Sequence, residues 1–287
     1  MSETPGGDLY RAAERQLRWP GVLLTWPRCA QLQAAGLREE ALEAAESRSD
    51  VLHSMIDEDL LLWLEVAVLL DERNVRCPAH LLCRLADTLV LLEVRPDVRS
   101  LVHRTVRTLF ERFPRLVVPY LRGVQVALRR SEEGTTALQT LSAGSLHLAG
   151  DPGLAQPYLE QAPFVLARRG VRFLTWWQEE AFLVAESDWW AARGFLSIGG
   201  RAAPLLRPTD LAPLGEVGVR IAARSRHGAK AFFGSVPTLR AVMPMQAIRR
   251  WADRAMVVCG REEDLVLYLS CPVRRAPGAY FARGDRR

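Results

Sequence analysis

Four groups of residues are of types and spacings that could do chemistry. Cys77, His80 and Cys83 place two thiols and an imidazole within seven residues. Zinc would accept that set if a fourth donor joined it. No second Cys/His cluster follows, and Cys29 is the only other thiol nearby in sequence. The reading is therefore buried thiols at a helix junction, with no metal. Glu179, Glu180, Glu186 and Asp188 gather carboxylates. A di-iron bundle would need Glu-x-x-His pairs on two helices, and this chain has none. A solvated face, or a helix cap within 186–188, is the expectation.

Arginine is densest between residues 95 and 130, where Arg99, Arg104, Arg107 and Arg115 are candidate basic-surface residues. Arg104, Arg107 and Arg115 are expected to line one helix face around Glu111. Such a patch suits nucleic acid, with binding that falls steeply with salt. Aromatics there are few (Phe110, Phe113, Tyr120), so a solvated or acidic-partner-facing surface is expected, with nucleic acid as the alternative. Two tryptophan pairs, Trp176–Trp177 and Trp189–Trp190, are candidates for partner binding. Neighbours on a helix point about 100° apart. At most one of each pair can be fully buried, and the other is expected at a groove or a seam. An exposed Trp is a hot-spot type.

Motifs for phosphate, dinucleotide, metalloprotease or serine-hydrolase chemistry (GxxxxGK[ST], GxGxxG after a strand, HExxH, GxSxG) are missing from the sequence. The expectation is a non-enzymatic protein with no catalytic residue and no cofactor.

The 287 residues are 49% hydrophobic and 25% charged, an ordinary globular balance. Five cysteines without tight pairing suggest free thiols in a reducing compartment. No apolar run is long enough to span a membrane, and the first residues lack a signal core. A cytoplasmic location is expected. The net charge is +5, and every basic residue except Lys230 is Arg. A GC-rich genome explains that bias more simply than phosphate chemistry does.

The elements that would position these residues read as helices. Residues 9–18 form a short amphipathic helix, Trp19 and Trp26 flank a proline-broken junction, and 28–49 is helical again. Residues 50–71 are strongly apolar, with Asp57 or Asp59 as a cap; 60–70 is apolar almost all round, so that helix is buried. Helices follow over 79–94, 97–113 and 115–130. The segment 131–135 is a loop and the natural boundary. The expected organisation is an N-terminal helical region or bundle over 1–130, helical repeats over 131–275, and a flexible basic tail over 276–287. The fold class is all-α.

The repeats are visible by sliding the chain on itself. Residues 209–237 moved forward by 35 land on 244–272, and moved back by 38 they meet 171–199. Phe195, Phe233 and Tyr268 coincide, as do Ser197, Ser235 and Ser270, and Pro237 falls on Pro272. Each copy is expected to be an apolar helix, a break, and a second short helix closed by the aromatic, the Ser and the Pro. One such hairpin cannot bury its own face, so copies of 35–38 residues are expected to stack as an α-solenoid.

The unit Ala222-x-x-Ser225, Ala229-x-x-x-Phe233, Ser235-x-Pro237 with Leu239 resembles the N-terminal helical region of the NorD/CbbO family. That resemblance covers 137–275. It implies a bacterial adaptor for MoxR-type AAA+ ATPases, acting on a target protein. Members usually continue into a von Willebrand factor A domain, whose DxSxS metal motif is missing here. The family's metal-dependent grip is therefore not carried over, and the matched positions are structural.

Overall fold

The computed structural model describes Ala44 and residues 47–72, 78–130 and 133–271. The expectations for residues 9–43, Cys77, Pro272 and the tail lie outside these. The described residues form helices and 3-10 turns without a strand, so the fold is all-α. The chain divides into two compact units between Arg129 and Arg130.

The first unit contains α1 (Ser49–Ser54), α2 (Asp57–Glu72), α3 (Pro78–Leu91), α4 (Pro96–Arg112) and α5 (Val117–Leu128). Leu62, Trp63, Val66, Ala67 and Leu70 of α2 are buried. The Trp63 indole satisfies its N–H on the Leu82 carbonyl of α3 at 2.9 Å. Pro96 opens α4, where its missing N–H costs nothing.

Asp59 does not act as a free cap. It lies inside α2, fully buried, 2.6 Å from His103 Nε2 and 3.4 Å from Arg99 Nε, both on α4. The local propensity of Asp for helix starts is overridden by two basic groups from another helix. Removing one partner of a buried charge cluster strands the others. We expect Asp59→Ala to lower unfolding free energy by about 3–5 kcal/mol. The exposed neighbour change Glu58→Ala should stay within about 0.5 kcal/mol. Urea denaturation of the two variants measures the difference.

The second unit contains α6 (Gly134–Leu148), α7 (Pro152–Ser187), α8 (Trp189–Ser197), the single turn α9 (Gly199–Ala202), α10 (Pro208–Ala222), α11 (Arg226–Arg240), α12 (Met245–Val258) and α13 (Glu262–Ser270). α7 is two helical arms joined at Gly170, whose φ of 80° is open to glycine and strained for other residues. With α7 read as two arms, the described residues of the unit make four consecutive helix pairs. α10 packs on α7, α8 and α12, and α11 packs on α8 and α13. The pairs thus lie against their successors.

The caps set the register. Asp151, Asp188 and Ser225 precede the second helix of three pairs at intervals of 37, and Arg261 precedes the fourth. Asp151 accepts from Gly153 N at 2.8 Å, Asp188 from Ala191 N at 2.8 Å and Ser225 from Gly228 N at 2.7 Å. This corrects the self-alignment by one residue. Phe232, not Phe233, is the counterpart of Phe195 and Tyr268. All four are buried, so apolar matching alone does not choose between them. The serines confirm the shift. Exposed Ser197 and Ser270 bond back to Arg193 O and Val266 O in their own helices. Buried Ser235 reaches across to Leu269 O of α13 at 2.6 Å.

Pro237 does not close its helix; α11 continues to Arg240. Proline there removes one N–H donor, a cost the packing of α11 on α8, α10 and α13 overrides.

Phe233 is the key packing residue. Its ring enters a slot where Gly194 of α8 and Gly218 of α10 present bare backbone, and a β-carbon on either would collide with it. Phe195 and Phe232 hold it edge-on, at centroid distances of 6.2 and 5.2 Å. The ring therefore cannot retreat. Gly218→Ala should cost about 1–3 kcal/mol by overpacking. Gly234→Ala, where the added methyl meets open space, should gain up to about 1 kcal/mol of helix propensity. Paired thermal or urea unfolding checks both signs.

Candidate functional site

The strongest candidate surface is an open groove of about 480 Å³ in the second unit. Glu180, Leu183, Val184 and Ser187 line it from the second arm of α7. Their spacing puts them on one helix face. Gly215, Glu216, Val219 and Arg220 of α10 form the opposite wall, and Arg249 of α12 closes one end. Gly215 sets the separation. A β-carbon there would sit 2.6 Å from Val184 Cγ2 and 2.7 Å from Glu180 Oε1. The two helices approach through that gap, and the Glu180 carboxylate rests over bare backbone.

The charges around the groove are not balanced. Arg220 pairs with Asp253 at 2.8 Å, and Arg249 approaches Glu216 at 3.8 Å. Among the described residues, no cation pairs with Glu180. Burial pushes its carboxyl above the usual range, and neighbouring Glu216 pushes it further. Leu183, 57% exposed, gives the groove an apolar lip.

Ser187 ends that wall, and the turn at Asp188 leads to the second tryptophan pair. Trp189 donates its indole N–H to Asp151 at 2.5 Å and is half-buried. Trp190 stands edge-on to it at 4.7 Å and is 44% exposed, with the Arg226 guanidinium over its ring at 5.4 Å. In the first pair, Trp177 is a core residue, 2% exposed and stacked on Tyr158 at 5.7 Å. Trp177 is thus removed from the partner-binding candidates. Trp176 is half-buried under Arg172, 4.8 Å from its ring centroid. The 100° rule is legible in both pairs. Which member turns inward depends on Tyr158 and Asp151, which lie far off in sequence.

The arginine candidates do not form one face. Arg104 is exposed on α4, Arg107 of α4 pairs with Glu65 at 2.8 Å, and Arg99 turns toward Asp59. Arg115 lies in the 3-10 turn Pro114–Leu116, off α4 altogether, because Pro114 interrupts the chain there. The expected Arg104–Arg107–Arg115 face is corrected accordingly. His80 is exposed, and Cys83 is half-buried, 3.4 Å from Ser47 Oγ. Among the described residues, no group of three or more His, Cys, Asp or Glu is placed to hold a metal ion. No described helix is long and apolar enough to cross a membrane.

Of the carboxylate cluster, Asp188 is a cap and Glu179 and Glu186 are exposed. Glu180 alone faces the groove. In the sequence Glu180 is indistinguishable from its solvated neighbours, and only Gly215, on another helix, sets it apart. In comparisons with known proteins, no family model, no curated protein and no solved structure matches this chain.

Because its folded-state pKa is raised, ionised Glu180 opposes folding above the ordinary carboxylate range, and that cost vanishes as pH falls. Glu180→Gln should therefore raise Tm at pH 7, and the gain should disappear near pH 4. Thermal unfolding across that range measures it.

Proposed function

We propose that this chain is a non-enzymatic helical-repeat scaffold that binds protein in the cytoplasm. Its partners on this reading are a MoxR-type AAA+ ATPase and the target that the ATPase remodels. The observation that carries the binding role is the pair of exposed large apolar side chains on either side of the Asp188 turn. Leu183 and Trp190 offer large apolar side chains to solvent there, on helices whose other faces are packed. Exposed aromatics beside polar rims are what protein partners use. The choice of an ATPase rests on the resemblance of the repeat unit to the NorD/CbbO helical region. The alternative, nucleic-acid binding through the arginines of 95–130, draws less support, since Arg99 and Arg107 are engaged with acids.

Affinity capture from native cells, with and without ATP, tests the reading. The expected result is nucleotide-dependent recovery of an AAA+ ATPase. Trp190→Ala should reduce that recovery by about ten-fold or more, the scale of a hot spot, with Tm lowered only slightly by loss of the Trp189 and Arg226 contacts. Trp177→Ala is no substitute, because it opens the core. Capture unaffected by Trp190→Ala, or recovery of nucleic acid without an ATPase, would overturn it.

A further inference from the structure

The groove has more definite chemistry than an apolar patch, and the inference drawn from it rests on the protein-binding reading above. Its floor and lip are apolar, from Leu183, Val184 and Val219. Its four charged lining residues are Glu180, Glu216, Arg220 and Arg249. Two are arginines already committed, to Asp253 and to Glu216. What remains is the half-buried Glu180 carboxylate, seated over Gly215. A carboxylate held partly out of water without a cation is costly, and an incoming cation relieves that cost. The walls are two helices, a shape that receives a third helix by its apolar stripe.

We propose that this groove receives an amphipathic helix of a protein partner. That helix brings a lysine or arginine to Glu180 and lays apolar side chains on Leu183, Val184 and Val219. A basic residue one turn from the apolar ones shares their face, so a single helix satisfies both demands. Glu216 lies near Glu180 across the groove, but it is already matched by Arg249, so Glu180 is the carboxylate left for the cation. A cation beside Glu180 favours its ionised form, so association releases protons wherever that carboxyl is part-protonated in the free chain.

The test uses the full chain and three acetylated, amidated peptides of about 14 residues, near the shortest length at which an isolated helix holds. They share a leucine stripe on an alanine-rich helix and carry arginine, citrulline or glutamate one turn from it. Fluorescence anisotropy reads binding. The arginine peptide should bind about ten-fold more tightly than its neutral citrulline isostere, and the glutamate peptide more weakly still. Glu180→Gln should bring arginine down to the citrulline level without lowering Tm. Glu179→Gln, on the exposed side of the same helix, should change nothing.

An arginine preference that survives Glu180→Gln would overturn the proposal. So would equal binding of all three peptides, or no binding at concentrations on the order of 1 mM. Self-association of the chain that Glu180→Gln abolishes would also overturn it, in favour of a second copy as occupant. Capture of the native partner in Glu180→Arg separates the two readings. Persisting, Trp190-dependent capture rejects the groove and keeps the scaffold. Failure of capture in the unaltered chain rejects the scaffold itself.

Discussion

A pair of short helices has two apolar faces and can cover only one of them with itself. In the second unit the uncovered face is closed by the next pair, and the closure depends on how near two helix backbones can come. Phe233 shows the limit. It fills the space between α8 and α10 because Gly194 and Gly218 present no side chain to it. A ring locked between Phe195 and Phe232 then fixes the spacing of three helices at once. Trp251 continues the stack from Phe232 at 6.4 Å to Tyr268 at 5.9 Å. The core of this unit is thus a line of aromatics threaded through successive pairs.

Polar groups at the turns reinforce the same order. Asp151 caps its own helix with one carboxylate oxygen and accepts the Trp189 indole with the other. Ser225 accepts from Gly228 N and donates to Glu262 at 2.7 Å. That hydroxyl and His227 hold the Glu262 carboxyl below the usual range. Arg224 donates to the carbonyls of Met256 and Cys259 at the C-terminal end of α12. One residue therefore caps a helix and ties it to the next pair. Capping residues recur at nearly constant spacing because the same geometry is satisfied each time.

That double duty explains what the sequence disclosed and what it concealed. The period was legible because large buried aromatics and capping residues must return once per pair. The all-α class followed from the same pattern. The register was one residue off because Phe232 and Phe233 are both buried, and apolar identity does not say which neighbour each faces. Pro237 looked like a stop signal because local chemistry argues that way; packing against three helices carries α11 past it. Asp59 looked like a cap for the same reason, until α4 supplied His103 and Arg99. The site was less legible than the fold. Leu183 and Glu180 carry no signal of their own, since their setting depends on Gly215, in the next helix pair.

The two sides of the second unit differ in how fully they close. Where α8 meets α11, a glycine opposite an aromatic produces a filled slot, as at Gly194 and Phe233. Where α7 meets α10, Gly215 faces Val184 and the head of Glu180 instead. The backbones come close, but no ring fills the space above them. Leu183 is left on the rim and the Glu180 carboxylate in the wall of a groove. The same small residue that lets helices pack thus seals one face and opens the other. A binding surface needs no extra element here. It arises where a close approach of helices lacks an aromatic to complete it.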